Sequence, residues 1–136
     1  MNLDIETSLA AWLRALPAFD GVPVHTGQSA DPIPADQPVL IVGVESVDPV
    51  AAGFHIARAS IVLATSSVPE GGLEAHTALA DSLSTSLLAL DALAAAFPPH
   101  LVLAGADLRS LAATQSDGRW LTTADLSLGV RTSTAI

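Results

Sequence analysis

LEAHTALADSLSTSLLALDALAAAF, from Leu73 to Phe97, is the only long segment of this chain with a clear helical period. Leu73, Ala80, Leu83, Leu87, Leu90, Ala94 and Phe97 recur at intervals of three, four and seven, which puts them on one stripe of a helix. Glu74, Asp81, Ser84, Thr85 and Asp91 fall on the opposite side, with Leu88 among them. The pattern predicts a half-buried helix over 73–97, stopped by Pro98-Pro99, and the remaining elements must cover its apolar stripe.

Beyond the prolines, Leu101 to Leu103 begins a strand, Gly105 bends it, and pairing resumes from Asp107 to Gln115. Ser116-Asp117-Gly118 is a hairpin turn signal, because Asp-Gly favours the backbone geometry that matches strand twist. The strand that follows alternates with period two. Trp120, Thr122, Ala124, Leu126, Leu128, Val130 and Thr132 share one face, and Leu121, Thr123, Asp125, Ser127, Gly129 and Arg131 the other.

Upstream of the long helix, Val39 to Val47 is nearly continuous apolar and β-branched, the pattern of a central strand covered on both faces, ended by Asp48-Pro49. Phe54 to Thr65 follows after a short connection, so the two strands should pair antiparallel. In the second, Ala57, Ala59, Ile61 and Leu63 share a face. Val22 to Thr26 contains Pro23 and can only be an edge strand. Asp4 to Leu16 reads as the first helix, with Ile5, Leu9, Trp12, Leu13 and Leu16 on one face, Asp4 and Glu6 in the first turn, and Pro17 as its stop. Between them, the proline-rich stretch from Gly27 to Pro38 is a surface loop. Helix, weak strand, two strong strands, long helix and hairpin make an α+β fold. The expected arrangement is one domain over 1–136, an antiparallel or mixed sheet with two helices packed on its faces.

Composition narrows the function classes. At 136 residues the chain can bury a core without covalent staples. With no cysteine it has no disulfide or thiolate chemistry, which fits assembly inside a cell. Its apolar runs are too short for a bilayer span, and Met1 to Glu6 carries two acids and no basic cluster, which argues against a secretory signal. Fourteen acids against five arginines give a net charge of -9, which repels nucleic acid and disfavours its specific recognition.

Candidate chemistry is sparse. His25, His55, His76 and His100 never fall at H-x-x-x-H spacing, so no metal site is expected, and a local contact with Glu74 accounts for His76. No G-x-S-x-G or S-x-x-K motif marks a nucleophile, so no catalytic residue is assigned. Gly71-Gly72 lacks the Lys-Ser or Lys-Thr of a phosphate loop and the third glycine of a dinucleotide site, so no cofactor is expected. Asp31, Asp36, Glu45 and Asp48 lack the alternation of a calcium loop. Trp12 and Trp120 both lie on apolar faces and are assigned to core packing. More informative is surplus apolar surface: Leu88 on the polar side of the long helix and Leu121 on the second face of the last strand suggest a covering partner.

An opening amphipathic helix (Ile5, Leu9, Trp12, Leu16), a proline-rich loop before an apolar strand (Pro38 to Val47), a second strand, a long helix and a closing hairpin with Asp-Gly-Arg-Trp at its turn also follow one another in a known family. In this order, and in length, the chain resembles the tail-terminator, or tail-completion, proteins of long-tailed bacteriophages. The resemblance implies a structural, non-enzymatic virion protein, assembled in the host cytoplasm. Such a protein forms a homo-oligomeric ring, typically a hexamer, that caps the tail tube, ends its polymerisation and joins it to the head connector. Its partners would be copies of itself, the tail-tube protein and the head–tail connector protein, with no membrane.

In a ring, one patch of each subunit meets a different patch of the next. Such contacts are expected on the loop Gly27 to Gln37 (Asp31, Asp36), on the hairpin Asp117 to Trp120 with Arg119 and the neighbouring Leu121, and on the exposed side of the long helix (Leu88). Another phage neck or tail-tube component, or a subunit of a phage-like particle, has a similar build and is the first alternative. A small α+β ligand-binding or enzymatic domain is the second, and it would need a concave polar pocket.

Overall fold

The computed structural model describes residues 2–26, 38–66, 72–88, 90–116 and 119–132. Helix α1 spans Asn2–Ala15, and a 3₁₀ turn at Pro17–Phe19 leads to strand β1, Val24–Thr26. Strands β2 (Val39–Ala51) and β3 (Phe54–Ser66) precede helix α2 (Gly72–Leu87) and a 3₁₀ segment at Leu90–Ala96. Strands β4 (Leu101–Ser116) and β5 (Arg119–Thr132) close the order. The strands form one five-stranded mixed sheet in the order β1-β2-β3-β5-β4. Among the described residues only β1 and β2 run parallel; the other neighbours are antiparallel. The expected α+β class, with a mixed sheet and two packed helices, is the one observed.

Alternation decides which face carries the core. Leu63, Ile61, Ala59 and Ala57 of β3 pair across the sheet with Thr122, Ala124, Leu126 and Leu128 of β5, and all eight are buried. Leu40 and Val42 of β2 continue the same rows. Each large aliphatic side chain removed from water there contributes about 1.5–3 kcal/mol. Helix α1 adds Ile5, Leu9, Trp12 and Leu13, α2 adds Leu83 and Leu87, and the 3₁₀ segment adds Leu93 to one core cluster. Asp4 in the first turn of α1 and Arg14 in its last complement the helix dipole. Arg14 also donates to the Val24 carbonyl at 2.8 Å, fastening α1 to β1.

Four expectations are corrected. The long helix stops at Leu87, and the chain continues as a 3₁₀ segment. There Leu93 is buried and Ala94 exposed, because side chains three apart eclipse in the tighter helix. The helical layer lies on one face of the sheet, and on the other face β2 is buried only at its start, where Val39 pairs with the buried Ala64. Ile41 and Gly43 on its other face are half-buried. Asp48-Pro49 does not end β2, which runs to Ala51 with irregularities between Val44 and Ser46 and between Pro49 and Ala51; β1 pairs only with Leu40 to Val42, so Pro49 has a side free of ladder bonds, as proline requires. Strand β4 runs unbroken from Leu101, taking up its bend as register shifts between Leu103 and Gly105 and between Leu108 and Ser110.

At the β2–β3 turn, Gly53 has φ +74°, the left-handed region that favours glycine. Its carbonyl accepts the Thr132 N–H at 2.8 Å, tying the turn to the end of β5. Among the described residues, no helix is long and apolar enough to cross a membrane.

Candidate functional site

Three of the six residues expected at subunit contacts, Asp31, Asp36 and Asp117, lie outside the described residues. Leu88 follows the last turn of α2 and is 81% exposed. Arg119 and Leu121 sit two apart on β5, so they share a face, and both are half-buried. Leu121 pairs with Ala64 of β3 and Thr114 of β4, on the side of the sheet away from the helices. Leu88 belongs to the helical layer, so Leu88 and Leu121 are on opposite sides and do not form one patch.

The most developed polar arrangement was not expected. His76, in α2, is buried between two strands: its Nδ1 lies 2.8 Å from Thr65 Oγ1 on β3 and its Nε2 2.7 Å from Thr122 Oγ1 on β5. In the neutral ring one nitrogen donates to a threonine hydroxyl and the other accepts from one. Burial lowers the His76 pKa from its ordinary value, since poorly hydrated surroundings penalise the charged form. The three side chains clamp α2 to the middle of the sheet. The sequence did carry a signal, because Thr122 interrupts the apolar face of β5 and a hydroxyl buried there needs a partner. The local contact with Glu74 is replaced by these long-range bonds, and Glu74 is exposed.

His76 and Thr122 also line a groove of about 350 Å³ between α2 and the far end of the closing hairpin, with Thr77, Ala80, Ala113, Thr114, Gln115 and Trp120. Trp120 is half-buried here, so it walls a groove where core packing was expected. Trp12, by contrast, is in the core. As a catalytic arrangement the site lacks parts. Thr122 is held at nucleophile-to-base distance from an imidazole, but the group on the other ring nitrogen is a neutral hydroxyl, which supplies no charge to stabilise an imidazolium.

A second depression, of about 250 Å³, lies on the sheet face away from the helices and is lined by Glu45, Arg58, Arg109, Ser110, Asp125 and Ser127. Within it the Ser110 hydroxyl donates to Asp125 Oδ2 at 2.8 Å. Opposite charges interleave there, so neither sign dominates. Among the described residues, no group of three or more His, Cys, Asp or Glu side chains could hold a metal ion.

No family model matches the chain, and no curated protein matches it. One solved structure aligns with 98% of this chain and 94% of its own chain, at 20% sequence identity and a TM-score of 0.44.

Proposed function

We propose that this chain is a ring-forming structural subunit of a long-tailed bacteriophage, of the tail-terminator kind. In that role it caps the tail tube, ends its polymerisation and offers a face to the head connector, making and breaking no bond. The observation that carries the reading is exposed apolar surface on separate elements: Leu3 on α1 is 60% exposed, Val50 on β2 63% and Leu88 after α2 81%. A closed ring needs two different patches per subunit, each meeting the other on a neighbour. The order of elements and the net charge of -9, which suits a passage that DNA must cross without sticking, agree with it.

Light scattering after gel filtration, combined with negative-stain imaging of the chain alone and mixed with the tail-tube protein, tests the proposal. Closed rings, free or seated on tube ends, are expected. Open tubes of the chain itself would instead mark a tube protein. A monomer that leaves tube ends bare and binds a small molecule in the His76 groove would mark a binding domain.

A further inference from the structure

Strand β4 forms one edge of the sheet, and it is 16 residues long. Sheet edges are ordinarily kept from pairing with other chains by charge, proline, bulges or a cover. Up to Arg109 β4 has such devices: Asp107, Arg109 and both register shifts. Beyond Arg109 it has none. From Ser110 to Ser116 the pairing with β5 is unbroken, and the sequence Ser-Leu-Ala-Ala-Thr-Gln-Ser carries no charge, proline or glycine. Residues 111–115 are all exposed, Leu111 to 41%. Alternation puts Leu111, Ala113 and Gln115 on the helix side of the strand, and Ala113 and Gln115 line the groove beside Trp120.

We propose that Ser110–Ser116 pairs antiparallel with the same segment of a second copy, across a two-fold axis through Ala113, each copy's Leu111 entering the other's groove beside Trp120. In that register Leu111 stands opposite Gln115, and opposed residues of antiparallel strands project to the same face. The exposed leucine of one copy therefore arrives where the other has its apolar depression. The segment is also the place where two chains of charge -9 can meet with no charged side chain facing another. The joined sheet has ten strands, with both helical layers on one side. This contact is isologous and stands apart from the ring reading, which needs heterologous contacts.

The absence of cysteine makes the test clean. In the proposed register residue 113 faces itself, and directly opposed Cα atoms about 4.5–5.5 Å apart suit a disulfide. A113C should oxidise to a covalent dimer, as should an equimolar mixture of L111C and Q115C. A18C, exposed in the 3₁₀ turn, serves as the control for random collision. L111K and T114K should each abolish the dimer in light scattering while leaving the urea midpoint unchanged at a protein concentration low enough for the parent to be monomeric as well. The proposal is overturned if A113C cross-links no faster than A18C, or if a dimer persists in both lysine variants. Rings in negative stain without the A113C cross-link would sink this contact and leave the tail reading standing. The cross-link without rings or tube binding would do the reverse.

Discussion

Replacing Thr122 by valine keeps the shape of the side chain and removes one hydroxyl. Thr122 and His76 are each 3% exposed and Thr65 4%, so the partner lost at 2.7 Å from Nε2 belongs to a bond made largely away from solvent. A buried polar atom left unsatisfied costs about 1–3 kcal/mol. At a urea m-value of about 2 kcal/mol/M, a loss of about 2 kcal/mol lowers the denaturation midpoint by about 1 M. Thr65→Val should cost a similar amount through Nδ1, and the two losses should not add, because both hydroxyls serve one ring.

The triple variant Thr65→Val, His76→Leu, Thr122→Val removes donors and acceptors together and should return to within about 1 kcal/mol of the parent. Urea titrations at one fixed protein concentration, so that self-association contributes equally, provide the measurement. If the triple variant is as unstable as Thr122→Val alone, the cost does not come from an orphaned imidazole and the account of the clamp is wrong.

Four further outcomes are expected. The folded-state pKa of His76 lies below the ordinary 6.5, so the unfolded chain binds the proton more readily. Its contribution is complete above about pH 6.5 and is lost as the pH falls towards the folded value; over that interval the parent should lose stability relative to the triple variant, read from urea midpoints at several pH values. Leu126→Ala, in the packed row beside Ala59, should cost about 2–5 kcal/mol, also measured in urea. Gly53→Ala should cost about 1–2 kcal/mol in the same assay, since an alanine there keeps the left-handed backbone and brings Cβ to 3.3 Å from Thr132 Oγ1. Leu88→Ser should leave stability within about 0.5 kcal/mol and reduce the ring fraction counted in negative stain.

The closing strand was the most legible element. Positions 122, 124, 126, 128 and 130, which the period of two assigns to the core, are buried, with Gly129 buried off that period and Trp120 and Thr132 only half-buried on it. The β2–β3 pairing was legible too, from two apolar runs and a short connection. The one-sided helical layer was not. Ile41 and Val62 oppose each other on the face away from the helices and shield one another, so both faces of those strands look apolar in sequence. The end of α2 was hidden for a different reason: nothing between Leu88 and Phe97 is a helix breaker, and the burial of Leu93 in the core decides the local winding. His76 escaped because its partners are 11 and 46 residues away, and only the fold makes them neighbours. Asp31, Asp36 and Asp117 lie outside the described residues, and Leu88 and Leu121 belong to different sides of the sheet.

Strand β5 follows every other strand in the chain yet sits between β3 and β4, joining Phe54 to Arg131 and Ser66 to Arg119. Pairings so distant in sequence are slow to form, and until β5 arrives one whole side of β3 is unmatched. A nascent or truncated chain therefore cannot present a finished edge to anything, and it is the form most prone to clump. The sheet is thus completed late, by the strand that fills its middle.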